Sequence, residues 1–233
     1  MSGIAPVPVA IVFAGSQPVA PSVREWLPTD ADVIAADSGL RVADALGVHV
    51  QHLVGDFDSA DPAAVEAAVA SGTTIDRHPA EKDATDLELA LHAAVQRGAR
   101  RVVVVDGGGD RLDHLLGNLL LLASDAFDGV QFEAFCGTAR ILLARGGDPP
   151  VTIGGELGSF VTLLPVGGPA LGISTRGLRY RLSGEDLLPG TTRGISNELG
   201  AHTGSVQLEA GALLVVQPFA GALSVTEQLG EGQ

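Results

Sequence analysis

Over the first two thirds of the chain, short apolar runs alternate with helical spacing. Residues 7–14, 32–36, 51–54, 73–75, 101–105 and 130–135 are short and apolar, which predicts strands. Residues 22–27, 40–46, 62–71, 84–97 and 111–124 carry the periodicity or the start signals of helices. "RRVVVVDGGG" is β-branched through its centre, as a parallel strand covered on both faces requires. Past about residue 146 the texture changes. Gly and Pro recur every few residues between the runs "SFVTLLPV", "LRYRLS", "SVQLEA" and "LLVVQPF", which predicts antiparallel β structure without long helices. The expected fold class is therefore α/β, a parallel-sheet domain followed by a small antiparallel β-sandwich. The boundary falls at "RGGDPP", giving domains over residues 1–147 and 148–233. The Gly-rich polar end, from about residue 227, is expected to fray.

Charge narrows the partners. A net charge of -14 over 233 residues argues against nucleic acid and anionic membrane surfaces, both of which are polyanions. One cysteine, Cys136, can form neither an intramolecular disulfide nor a CxxC metal site, which favours a reducing compartment. The opening "MSGIAPVPVAIVFAG" has no basic segment, and no window reaches the roughly 18 apolar residues of a membrane helix. A cytoplasmic protein is expected.

The acidic residues cluster where a predicted strand gives way to the next helix: Asp37 in "AADSG", Asp56 and Asp58 in "LVGDFDSADP", Asp83 and Asp86 in "EKDATDLELA", and Asp106, Asp110 and Asp113 in "DGGGDRLDH". In a parallel sheet these positions form the carboxyl edge, where ligands bind. Carboxylates delivered there from separate segments suggest an oxygen-ligated divalent cation, Mg²⁺, with phosphates completing its coordination. Taken singly, Asp61, Asp83, Asp86 and Asp110 are equally well explained as helix N-caps, and "TDLE" fits a capping box that makes Glu88 structural. Asp56 and Asp58 resist that account, because a cap needs one carboxylate. In an extended backbone they would project side by side, with Phe57 turned back.

In "DGGGDRLDHLLGNLLLL" a glycine run precedes a helix with an apolar face of Leu112, Leu115, Leu116, Leu119 and Ala123. Glycines and a helix start offer N–H donors to an anion, and Arg111 adds a charged fork. His114 and Asn118 share the Arg111 side of the wheel. Asp113 falls about 160° away and joins them only if the first turn is partly unwound. Neither GxxxxGK[ST] nor a full GxGxxG occurs. Lys82 either pairs with Asp86 four residues on or reaches a phosphate. "GLRYRLSGEDL" reads as a hairpin, and Ser196 and Asn197 in "GISNEL" read as turn residues able to meet a heterocycle edge.

Taken in order, "ADSG", "VGDFDS", "EKDATDLELAL", "GGGDRLDHLLGN", "GLRYRL" and "ISN" resemble the motifs of the thiamine pyrophosphokinase family. Ser38 stands where that family more often has a second glycine, and Arg181 where proline is common. The resemblance implies a Rossmann-like nucleotide-binding catalytic domain over 1–147 and a thiamine-binding β-sandwich over 148–233. It also implies a homodimer with active sites at its interface, and transfer of diphosphate from ATP to thiamine with release of AMP. Position by position, it makes Asp56, Asp58, Asp86 and Asp113 the catalytic set, the first three as Mg²⁺ ligands. It makes Asp37, Lys82, Asp83, Thr85, Arg111, His114 and Asn118 contacts to nucleotide or phosphate, and sets Ser196 and Asn197 against the thiamine pyrimidine. Two other readings use the same residues: a diphosphotransferase acting on another small alcohol, and a non-catalytic nucleotide or thiamine sensor.

Overall fold

The computed structural model describes residues 8–58, 60–107 and 111–219. They fall into two compact units, one running to Leu115 and including Gly129–Thr138 and Phe219, the other made of Leu116–Asp128 and Ala139–Pro218. The whole is mixed α/β.

The first unit contains β1 (Val9–Ala14), β2 (Asp32–Ala36), β3 (His52–Gly55), β4 (Thr74–Arg77), β5 (Arg101–Asp106) and β6 (Gln131–Cys136), with helices α1 (Gly39–Ala45), α2 (Pro62–Ala70) and α3 (Asp86–Gln96). All its strand pairs are parallel, in the order β4-β3-β2-β1-β5-β6. The chain steps outward from β1 to β4, then resumes at β5 on the other side of β1. The order therefore reverses between β1 and β5, the position that opens a crevice at the carboxyl ends of such sheets. Val102, Val103, Val104 and Val105 are all buried, which accounts for the unbroken apolar run of β5. The helix start signals hold: Asp61 accepts from Ala63 N–H ahead of Pro62, and Thr85 accepts from Glu88 N–H. The helix expected over 22–27 is a 3₁₀ helix of two turns, Pro21–Trp26. Prolines 21 and 28 leave no room for more. Trp26 packs edge-on against Phe219, with ring centroids 5.9 Å apart.

Two ends of the same strands are built differently. At the amino ends, Asp32, His52 and Thr74 begin β2, β3 and β4 and bond to one another. His52 Nε2 lies 3.0 Å from Asp32, and its Nδ1 lies 2.6 Å from Thr74 Oγ1. That cluster is closed further by Arg97 on Asp32. The carboxyl ends carry the acidic residues described below.

The second unit holds β7 (Ala139–Arg145), β8 (Val151–Gly154), β9 (Phe160–Arg176), β10 (Ser183–Leu187), β11 (Asn197–Glu198), β12 (Thr203–Gln207) and β13 (Ala210–Pro218). They are antiparallel, ordered β7-β13-β9-β12-β8, with β10 and β11 attached to β9. β9 runs 17 residues, straight through Pro165 and Pro169. β13 shifts register between Ala210 and Ala212 opposite this segment, the kind of bulge that lets a strand carry Pro and Gly.

Three expectations are corrected. β7 lies in a stretch for which no strand was expected; "ILLA" suits helix and strand alike, and its partner β13 is far away in sequence. "LRYRLS" is not a strand: β10 starts at Ser183, and residues 178–182 form a connection fixed by side chains. The helix after β5, α4 (Leu112–Leu121), has the predicted apolar stripe but buries none of it. Leu112, Leu116 and Leu120 are 66%, 51% and 56% exposed. The end of the helical region is held instead by buried Leu122 and by Arg145, whose guanidinium donates to the carbonyls of Leu122, Ala123 and Ser124.

Candidate functional site

Strand direction places Asp37 just after β2, Asp56 just after β3 and Asp106 at the end of β5, all on one edge. Carboxylate oxygens of Asp37, Asp56 and Asp58 lie within 4.8 Å of one another. Asp86, the first residue of α3, joins them through Lys82, whose Nζ is 2.7 Å from Asp86 Oδ1 and 3.3 Å from Asp56 Oδ2. Lys82, in the loop ahead of α3, thus does more than pair with the first residue of that helix. Gly55 lets the group close up: a Cβ there would lie 3.0 Å from Asp86 Oδ1 and 3.2 Å from Asp37 Cβ. Burial opposes the Lys82 charge, but its bonds to Asp86 and Asp56 outweigh that and raise its pKa. The Asp56 carboxyl is lowered, chiefly because Asp58 N–H donates to it and further by Lys82.

Asp56 and Asp58 do not project from an extended strand as expected. Phe57 between them has φ +63°, a left-handed conformation that bulky residues rarely adopt, and Asp58 N–H folds back to Asp56 Oδ1 at 3.2 Å. The turn is gripped from β4. Arg77 donates to the Asp56 carbonyl at 2.8 Å and lies 4.7 Å over the Phe57 ring. Nothing in the sequence pattern marked Arg77, which sits on an exposed edge strand without a motif.

Near the reversal of strand order, Gly107 follows β5. A Cβ there would lie 1.8 Å from the Gln17 carbonyl, so only glycine fits. The rest of the glycine run and Asp110 lie outside the described residues. Arg111 precedes α4, so the helical wheel does not separate it from Asp113; Nε bonds to Asp113 Oδ1 at 3.0 Å, and the pair is exposed. That bond holds the Asp113 carboxyl well below the usual range. His114 and Asp83 are exposed, Asn118 is half-buried, and the Thr85 hydroxyl is occupied as the α3 cap. At the end of β6, burial, with the Asp106 charge behind it, pushes the Cys136 thiol up to about 12.

In the second unit, Ser196 also has positive φ, +58°, and its N–H donates to Thr162 Oγ1 at 3.1 Å. Asn197 is buried and both ends of its amide bond to backbone. Oδ1 accepts from Tyr180 and Glu198 N–H at 3.0 and 2.8 Å, and Nδ2 donates to the Tyr180 carbonyl at 2.7 Å.

Two family models match this chain. "Thiamin pyrophosphokinase, catalytic domain" matches residues 24–132, and "Thiamin pyrophosphokinase, vitamin B1 binding domain" matches residues 151–213. The chain belongs to the thiamin pyrophosphokinase family. It is accordingly a diphosphotransferase enzyme. A thiamine pyrophosphokinase of Bacillus subtilis is 24% identical over 209 residues, 90% of this chain and 97% of the relative. The crystal structure of a Bacillus subtilis thiamine pyrophosphokinase superposes with a TM-score of 0.78 at 23% identity, covering 91% of this chain and 99% of that one. That of the Geobacillus thermodenitrificans enzyme gives 0.74 at 27% identity, over 93% and 100%. The first match spans the acidic edge, and the second spans the Asn197 clasp. No helix among the described residues is long and apolar enough to cross a membrane.

Proposed function

We propose that the enzyme transfers a diphosphate from ATP to the hydroxyl of thiamine, releasing AMP, and that the acidic edge of the first unit holds the Mg²⁺ this reaction uses. The observation that carries the reading is the convergence of Asp37, Asp56 and Asp58, three hard oxygen donors with no soft ligand among them. Asp56 and Asp58 would hold the ion, with Asp37 and Asp86 beside them. Mg²⁺, when bound, neutralises charge on the transferred group. Lys82 fixes the facing oxygens of Asp56 and Asp86. Arg111 presents a guanidinium fork to phosphate oxygens, oriented by Asp113. Asp83, Thr85, His114 and Asn118 are assigned to the nucleotide side. One carboxylate of the edge accepts the thiamine hydroxyl proton. In the second unit Ser196 meets the pyrimidine, while Asn197 shapes the loop beside it.

The reversal of strand order beside β1 supports a Rossmann-like first domain, and the antiparallel strands, which begin with β7 ahead of the boundary expected at 147, support a β-sandwich after it. The uncovered leucines of α4 support a homodimer. The acidic balance and single thiol support a cytoplasmic enzyme.

Purified protein with ATP, Mg²⁺ and thiamine should yield thiamine diphosphate and AMP in equal amounts, and EDTA should abolish both. Formation of ADP in place of AMP, or no product from thiamine, rejects the reading. Light scattering on a sizing column should give twice the chain mass.

A further inference from the structure

We infer that Arg77 is a positioning residue for the Asp56–Asp58 carboxylates, holding the left-handed turn at Phe57 that sets them beside Asp37. The inference rests on the acidic edge being the Mg²⁺ and ATP site. Rotation about the Phe57 N–Cα bond decides where Asp58 points relative to Asp56. A phenylalanine left to itself would relax out of φ +63° and carry Asp58 away from its neighbours. Arg77 holds both ends of that bond. On one side its guanidinium donates to the Asp56 carbonyl at 2.8 Å; on the other it lies 4.7 Å above the ring that Phe57 Cα carries. Its own place is fixed by the sheet: Arg77 is the register partner of Gly55, and His78 N–H donates to the Gly55 carbonyl at 2.9 Å. The Phe57 side chain packs against the core of the unit, so the turn is braced from below by packing and from the side by Arg77. Only a planar, multiply donating cation can stack and donate at once, which lysine cannot reproduce.

The test compares Arg77→Met and Arg77→Lys with the parent chain, using Mn²⁺ binding by electron paramagnetic resonance alongside turnover. Arg77→Met should weaken Mn²⁺ binding and lower kcat by about tenfold or more, as loss of outer-shell support typically does, with thiamine KM within about twofold. Arg77→Lys should stay close to Arg77→Met. In the Arg77→Met background, Phe57→Gly should recover more Mn²⁺ affinity than Phe57→Ala, because both remove the ring but only glycine adopts φ +63° without strain. Full activity in Arg77→Lys would reduce the residue to a surface charge and overturn the inference. Parent-like Mn²⁺ binding by Arg77→Met would overturn it too, as would equal recovery by Gly and Ala, or a loss that follows melting temperature alone. A parent chain that binds Mn²⁺ but makes no thiamine diphosphate refutes the proposed reaction, and the variants still read the Arg77 role.

Discussion

The turn at Asp56–Asp58 and the loop at Ser196–Asn197 both pivot on a non-glycine residue in the left-handed region, Phe57 at +63° and Ser196 at +58°. What secures them differs. The first is held by charge: Lys82 between Asp56 and Asp86, and Arg77 over Phe57. The second is held chiefly by neutral groups, the amide buried at Asn197 and bonded to the backbone of Tyr180 and Glu198 and the Thr162 hydroxyl on Ser196 N–H, with an exposed Arg179–Glu198 ion pair at its rim. Clustered carboxylates repel, so a site that must hold them needs cations and responds to pH and salt. A neutral polar loop needs only satisfied hydrogen bonds, and fails when one is removed. The third such residue among those described, Asp37 at +44°, belongs to the acidic edge, so this kind of backbone strain falls entirely within the motifs that carried the family resemblance.

The sharpest way to break this contrast is at the carboxylates. Asp56→Asn or Asp58→Asn keeps shape and removes charge, and should lower kcat by about a thousandfold or more, the scale of losing a main electrostatic contributor. The circular dichroism spectrum should be unchanged. Lys82→Met comes next. It leaves Asp56 and Asp86 facing each other without their cation, and should cost on the order of a hundredfold in kcat/KM through misplacement of both. Asn197→Ala should act on the other region alone. Backbone groups of Tyr180 and Glu198 lose their partners, at about 1–3 kcal/mol of stability read from far-ultraviolet circular dichroism during melting. Thiamine KM should rise while ATP KM does not; a rise in both would merge the two regions.

The smallest effect is in pH. The folded Asp56 carboxyl is lowered, so its contribution to stability is present above the ordinary carboxylate value and is lost as pH falls through the folded one. Lys82→Met removes part of what lowers it. The acid limb of the pH–rate profile of that variant should therefore move to higher pH, and an unmoved limb would detach Asp56 from Lys82.

How far these regions were legible in the sequence follows the same division. The strand ends carrying Asp37, Asp56 and Asp106 were readable because apolar runs and acidic punctuation are local properties. So was the Thr85 cap. The bend at Phe57 was not, since it depends on Arg77, twenty residues on and across a strand pair. Lys82 was read as pairing with Asp86 or reaching a phosphate; its second bond, to Asp56, is tertiary. Asn197 was legible as a polar loop residue, but its pairing with the Tyr180 backbone came from a connection taken for a strand. On α4 the leucine period was right, and a period does not say what covers it. β7 was missed because Leu, Ala and Arg serve either structure and the deciding partner, β13, lies at the far end of the chain.

Cys136 offers a practical return on the packing around it. Burial pushes its thiol up to about 12, so it should alkylate far more slowly at neutral pH than an exposed cysteine. A cysteine placed at any exposed position would then be the single reactive handle on the polypeptide. A spin label or dye could be attached at exposed Leu157, outside both proposed sites, without first replacing the native sulfur.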